Sequence, residues 1–414
     1  MITFENPLDL ALLSQPQRKA LKEFTLRFTD YADKNNLQYL KDEKYLLHWM
    51  KARKFNLDAA EKMLRNHLRW RKYFRFDTLS TDKLKPDPIM DKWYTWGTYG
   101  HDKWGRPLGF ASYGSVDPDG LNNMVSFLDA SRSVMQWQEE RRRQCEINSK
   151  KLFQFNRDIR QVIYIIDLAG VGTRQMRGVD NFTSISRLVE QHSPELLYKI
   201  FVINAPSFFA GIWAIVKPIV DETTQRKVNV FGSSGWKEVL LEHIDADQLP
   251  MHYGGTATEE GDPKCSKSIR YGGVIPKELY MTREQKDAML PQGSLCWNSG
   301  VKYKNNWCYN VYWYFAAVSY MDIGFGICKI PAEMSNLSDR EILKDVDRLE
   351  WVAPPMHYLA HTVPECGMRP VDRGEYMVHF DNAHTWLWSK SFCCWFDILP
   401  TGSPKLQQFD HFLS

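Results

Sequence analysis

The chain has 414 residues, enough for two or three domains rather than one core. Its 53 Lys and Arg nearly balance 50 Asp and Glu, leaving a net charge of +3. That balance gives no support to a polyelectrolyte partner, and a nucleic-acid binder, which would be clearly basic, is not expected.

The first residues carry Glu5 and Asp9 and lack a basic start followed by an apolar run, so no secretory signal is expected. The eight cysteines are irregularly spaced without a C-x-x-C pair. This fits a reducing, cytosolic compartment with buried thiols and argues against a zinc site.

The chain opens with helical signals. "PQRKALKEFTLRF" places Leu21, Phe24 and Phe28 three and four apart. "DEKYLLHWMKARKF" starts at an N-cap candidate, Asp42, and "NLDAAEKMLRNHLRWRKYF" at another, Asn56. The second repeats Leu57, Ala60, Leu64 and Leu68, with a basic opposite face of Arg65, Arg69 and Lys72, read first as solvated surface.

A middle segment alternates strand and helix. "PLGFASY", "QVIYIIDL", "IFVINAP" and "KVNVFG" read as strands, and Val162 to Ile166 is apolar enough for a strand covered on both faces. Helix signals lie at Leu121 to Cys145, Asp180 to His192, Phe208 to Val216 and "GWKEVLLEHI". The alternation predicts a mainly parallel sheet with crossover helices.

After about residue 260 the pattern changes. Turn-rich "GDPKCSKSIRYGG" is followed by strand signals in "CYNVYWYF", "DIGFGICKI", "GEYMVHF" and "HTWLWSKSFCCWFDIL", with a more polar loop or short helix over Leu337 to Leu349. Strands without intervening helices predict an all-β sandwich. The expected division is 1–75, helical; 76–260, α/β; and 261–414, linker plus sandwich.

Catalytic motifs fail when tried. In "YIIDLAGVG" the third glycine of G-x-G-x-x-G falls on Gln175, and "FGSSGW" is not G-x-S-x-G. No P-loop and no H-E-x-x-H occur. The sequence gives no support to an enzyme, a metal site or a cofactor.

One segment stands apart. In "NAPSFFAGIWAIVKPIV", every residue between Ser207 and Lys217 is apolar. A surface helix should have a polar face, and a bilayer span needs about 20 apolar residues. Pro206 suits a first helical turn, and Pro218 disfavours helix at Lys217. From composition, a buried core helix and a lid over an apolar cavity stand equal.

The region Ser193 to Thr256 resembles the CRAL-TRIO lipid-binding domain, a family of phosphatidylinositol transfer proteins and retinal- and tocopherol-binding proteins. The resemblance is carried by "SPE", "INAP", "KP", the "WKEVL" helix and the closing "LPMHYGG". "YLLHWMKARKFNLDAAEKMLRNHLRWRK" is similar to the family's N-terminal helices, and "GHDKWGRP" to its turn into the sheet. "GDPKCSKSIRYGGVIP", "DIGFGI" and "GEYMVHFDNAHTWLWSK" resemble a GOLD domain, a pairing found in the supernatant protein factor and tocopherol-associated protein subfamily.

The resemblance implies a cytosolic lipid-binding and transfer protein, not an enzyme, that encloses one hydrophobic ligand and touches membranes, including those of the Golgi. Its lid is Phe208 to Val220, with Phe208, Phe209, Ile212, Trp213, Ile215, Val216, Ile219, Val220 and Tyr164 lining the apolar pocket. For a phosphatidylinositol headgroup it implies Glu195 on inositol hydroxyls, and Lys227, Thr224 and the basic pair Arg53 and Lys54 toward phosphate. The competing reading of Glu195 and Lys227 is a structural ion pair. At the family's choline-lipid site this chain departs, with Val162 and Tyr164 at the strand's hydroxyl positions and Leu108, Gly109 and Phe110 on the strand before, where the family carries tyrosines. Tocopherol, squalene or another isoprenoid is therefore a competing ligand. The GOLD-like domain implies a protein or membrane contact.

Overall fold

The N-terminal helices form where capping side chains and apolar spacing coincide. In the computed structural model, the described residues are 8–77, 85–155, 157–217, 222–282, 295–296, 301–305, 309–317, 322–359, 365–372, 374–381 and 392–399. Helix α1 (Gln15–Asn35) starts at a capping box of Ser14 and Gln17 and ends at Asn36 in the left-handed region. The expected caps hold: Asp42 accepts from the Lys44 N–H to start α2 (Glu43–Ala52), and Asn56 from the Ala59 N–H before α3 (Leu57–Phe74). Leu21, Phe24 and Phe28 of α1 meet Leu46, Leu47 and Trp49 of α2 and Ala60, Leu64 and Leu68 of α3 in one buried cluster.

The α/β part runs α4 (Pro88–Trp93), β1 (Thr95–His101), β2 (Pro107–Ser112), α5 (Pro118–Met124), α6 (Phe127–Lys151), β3 (Val162–Asp167), α7 (Thr173–Met176), α8 (Val179–His192), β4 (Leu197–Ile203), α9 (Phe209–Val216), α10 (Glu222–Arg226), β5 (Val228–Val230), α11 (Trp236–His243) and β6 (Ile269–Tyr271). The sheet order is β5-β4-β3-β2-β1-β6. Strands β2 to β5 are parallel, and β1 is antiparallel to β2 and β6.

One face of the sheet sends Leu108, Phe110, Ile163, Ile165, Phe201 and Ile203 against Trp236 and Leu240 of α11 and against Tyr253. Tyr253 stacks on Phe110 with ring centroids 5.2 Å apart. The glycines after it are a backbone requirement: Gly254 has φ 93°, and a Cβ on Gly255 would lie 1.9 Å from the Leu249 carbonyl oxygen. Toward the other face, Tyr164 of β3 meets Gln138 and Arg141 of α6.

Two features differ from the sequence reading, and a third, expected as a turn, gains its physical cause. The helix expected over Leu121 to Cys145 is two helices, because Ser126 caps α6: its Oγ accepts from the Asp129 N–H and donates to the Asp129 carboxylate. Strands β1 and β6 were not expected; Gly97 interrupts the β1 pattern because a Cβ there would come 2.6 Å from Ile269 Cα. The turn in "GHDKWGRP" is held by Asp102, which accepts from the N–H groups of Trp104, Gly105 and Arg106 and pairs with the Arg106 guanidinium at 3.0 Å.

The chain divides into two units. The first is Met1–Leu68, Asp77–Leu121 and Ser131–Ile275; the second is Arg69–Phe76, Asn122–Ala130 and Pro276–Ser414. The described part of the second holds two four-stranded antiparallel sheets. One has the order β11 (Glu350–Leu359), β10 (Asp322–Ile330), β13 (Gly374–Asp381), β8 (Val301–Asn305). The other has the order β12 (Glu365–Val371), β9 (Tyr309–Ala317), β14 (Phe392–Leu399), β7 (Leu295–Cys296). Trp313 and Phe325 meet between them at 6.3 Å. Strands β11 and β12 carry prolines 354, 355 and 370, which hid them in the sequence; both lie at sheet edges, where a missing N–H is tolerated.

Candidate functional site

The segment Ser193-Pro194-Glu195 joins α8 to β4. Glu195 takes φ 55°, left-handed for a residue with a side chain. The Gln161 side-chain amide holds it there, donating to the carbonyls of Glu195 at 3.1 Å and Leu197 at 3.3 Å. Lys227 opens the neighbouring strand, its N–H on the Thr224 carbonyl and its own carbonyl accepting from Ile200. The pairing of β4 with β5 thus brings together two residues 32 apart, and Lys227 Nζ donates to Glu195 Oε2 at 3.0 Å. The two side chains are only 16% and 14% exposed.

A third member comes from α2. Burial lowers the proton affinity of Lys51, Glu195 raises it and Lys227 lowers it further, so its ammonium lies within the field of both. One turn earlier, His48 Nδ1 is 3.1 Å from the Pro194 carbonyl, which can only accept, so Nδ1 carries the proton. Burial holds His48 at about 4, a neutral ring at neutral pH.

The structure therefore brings together Glu195 and Lys227, with Thr224 one turn before Lys227 and half-buried. It does not bring Arg53 or Lys54 onto that pair. Arg53 donates to the Ala52 carbonyl, and Lys54 is exposed at φ 51° beyond the end of α2. Lys51 is the lysine of α2 whose electrostatics respond to both members of the pair. It belongs to the same "KARK" stretch, and the register of α2, with His48 and Lys51 one turn apart, is the signal that could have selected it.

Between Glu195 and Lys227 in sequence runs the apolar segment. Asn204 turns the chain out of β4 at φ 54°, its side-chain amide on Asp167 Oδ1 at 2.8 Å. The Phe209 N–H then bonds the Pro206 carbonyl and α9 begins. Phe208 is 46% exposed, and Ala210, Gly211 and Ala214 are exposed too. Phe209 and Trp213 are half-buried and stack at 6.4 Å. The buried-core reading does not hold for these residues: this apolar helix presents apolar surface outward. The side chains of Ile212, Ile215 and Val216, and all of Ile219 and Val220, lie outside the described residues.

Tyr164 is not a plain apolar wall. Its hydroxyl donates to Gln138 Oε1 at 2.7 Å, and the Arg141 guanidinium lies 5.0 Å from its ring centroid. Among the described residues no helix is long and apolar enough to cross a membrane, and no group of His, Cys, Asp and Glu could hold a metal ion.

Residues 93–255 match the family model described as the CRAL/TRIO domain. This segment is similar to a CRAL/TRIO domain. It contains β1 to β5, α9, Glu195, Thr224 and Lys227, while His48 and Lys51 reach its site from the helices that precede it. A crystal structure of Sfh5 is similar over 66% of this chain and 95% of its own, at 15% identity and a TM-score of 0.43.

Proposed function

We propose that the chain is a lipid carrier that encloses one hydrophobic ligand, phosphatidylinositol, beneath α9 and exchanges it at membrane surfaces. The observation that carries this reading is an exposed apolar helix, in a segment that matches the CRAL/TRIO model, lying in sequence between the two members of a nearly buried Glu195–Lys227 pair. Exposing lipid chains to water costs about 0.8 kcal/mol per methylene, on the order of 20 kcal/mol for roughly 30 of them. A closed apolar cavity removes most of that cost. Hydrogen bonds to a headgroup, about 1 kcal/mol each in net terms, select among lipids rather than supply the affinity.

In this reading Lys227 and Lys51 meet the phosphate, Glu195 turns to the inositol hydroxyls, and Thr224 supports Lys227. Residues Phe208 to Val220 are the lid, which leaves the pocket for the membrane surface. The protein works in the cytosol and at membranes, with no catalytic step. Lipids extracted from protein purified without detergent, identified by mass spectrometry, test it directly. Recovery of phosphatidylinositol supports the reading; a neutral isoprenoid alone overturns the headgroup assignment.

A second reading rests on the two antiparallel sheets beyond residue 295. Read as a GOLD-like module, they present a protein loaded with tocopherol, squalene or another isoprenoid to a partner, on Golgi membranes or elsewhere. Ligand retained through vesicle mixing, with ligand-dependent partner capture, distinguishes it from transfer.

A further inference from the structure

The helix α6 carries three consecutive arginines with different fates. Arg142 pairs with Glu139 and Glu146, and Arg143 with Glu140, at the surface. Arg141 is turned inward and is 4% exposed. Its Nη2 makes one long bond, 3.4 Å, to the Gly97 carbonyl, and its guanidinium lies over the Tyr164 ring. Its Nε is buried without a partner, and among the described residues Arg141 has no ion pair.

An arginine keeps its charge at any accessible pH, and a buried charge without a counter-ion is costly. Two neighbouring donors also lack acceptors. Trp137, one turn earlier on α6, and Trp96, next to Gly97, each have a buried indole N–H without a partner. Their rings stack at 4.9 Å, and Tyr94 stacks on Trp137 at 5.7 Å. The Tyr164 hydroxyl is already committed to Gln138. Gly109 leaves the space that the guanidinium uses: a Cβ there would come 2.9 Å from Arg141 Nε and 3.0 Å from the Tyr164 ring. Three N–H donors, one of them cationic, within an aromatic wall call for an acceptor that is anionic and delivered with apolar surface.

We propose that Arg141, aided by Trp96 and Trp137, binds an oxyanion, a carboxylate or phosphate, on the inner end of an amphiphilic ligand. The site shares no residue with the Lys51–Glu195–Lys227 group, so the proposal stands or falls apart from the phosphatidylinositol reading. A free ion would have to shed its hydration without compensation, whereas an amphiphile brings chain burial with its charge.

The test uses full-length protein stripped of co-purified lipid, titrated calorimetrically with oleate, with oleyl alcohol and with inorganic phosphate. Wild type should bind oleate at least about tenfold more tightly than Arg141→Met does, the size of one charge-assisted hydrogen bond. Oleyl alcohol should bind both alike, and Arg141→Lys should fall between. Ligand-free Arg141→Met should unfold at or above the wild-type temperature, because an uncompensated buried charge is gone. Oleate binding that is unchanged in Arg141→Met overturns the proposal. So does a variant that melts well below wild type and loses oleate and alcohol together, since that marks a packing role. Phosphate alone binding as tightly as oleate, and through Arg141, overturns the amphiphile and assigns the site to a free oxyanion.

Discussion

Replacing Lys227 by alanine removes both the partner of Glu195 and the proposed phosphate donor, and the two consequences can be separated. A hydrogen bond from a charged donor contributes about 1.5–3 kcal/mol, so phosphatidylinositol affinity should fall roughly 10- to 100-fold. Breaking a fully buried ion pair costs about 3–5 kcal/mol of folding stability. Here the pair is about 15% exposed, and Lys51 remains in the field of Glu195. With Lys227 gone, the burial that chiefly lowers the proton affinity of Lys51 remains, and so does its attraction to Glu195. The folding cost should therefore be nearer 1–2 kcal/mol, between the exposed and buried limits. The assay is transfer of labelled phosphatidylinositol between vesicles, run beside transfer of a neutral apolar ligand and a thermal melt. Phosphatidylinositol transfer should collapse and the neutral ligand be spared. The double variant Glu195→Ala/Lys227→Ala should recover stability without recovering transfer. Wild-type phosphatidylinositol transfer by Lys227→Ala would refute the headgroup assignment.

Three further outcomes follow from the same geometry. Lys51→Ala should weaken phosphatidylinositol binding about tenfold and Lys54→Ala by less than twofold, since Lys54 is exposed and away from the pair; the reverse order in a binding titration would restore the original basic-pair assignment. Phe208→Ser with Trp213→Ser should reduce co-sedimentation with vesicles several-fold while shifting the melting temperature little, because the side chains are exposed or half-buried; a large drop in melting temperature would mark α9 as structural. Stability should fall as pH drops from about 6.5 toward 4. Burial, the largest cause in each, holds His48 at about 4, His192 at about 3 and His243 at about 4, below the unfolded 6.5. The unfolded chain therefore binds protons first, each ring removing up to about 1.4 kcal/mol per pH unit through that window. Melting temperatures that stay level between pH 7 and 5 would count against the buried, neutral rings.

The helices and parallel strands were legible because each carries its own local signal. Asp42 and Asn56 cap helices whether or not the rest of the chain is known, and the apolar run Val162 to Ile166 suits a strand flanked by β2 and β4, with Val162, Ile163 and Ile165 buried. The elements that escaped are those whose residues answer to a distant neighbour. Gly97 is dictated by Ile269 across the sheet, and Pro354 and Pro355 are permitted by the edge position of β11. The same distinction divides the site. Glu195 and Lys227 were visible through their motifs, whereas the choice between Lys51 and Arg53 depends on how α2 is turned against Pro194 and Glu195. Tyr164 read as an apolar contact because nothing local in "QVIYIIDL" announces Gln138 and Arg141 on a helix some 25 residues upstream.

The two polar groups of the CRAL/TRIO segment differ in how their charge is met. Glu195 and Lys227 neutralise each other, so a ligand that uses them must replace an existing hydrogen bond with its own. Such a site gains little affinity and much selectivity, because only a headgroup offering both an acceptor for lysine and donors for glutamate compensates both partners. Arg141 has no such partner, so an anion reaching it gains a charge-assisted bond without breaking one. Together the two proposals would give the protein two kinds of ligand, one chosen by its headgroup near α2 and one held by an inward-facing anion against α6. If the exposed apolar helix between Glu195 and Lys227 in the sequence is the proposed lid, it would serve either, since a lid responds to the apolar bulk beneath it rather than to the polar end.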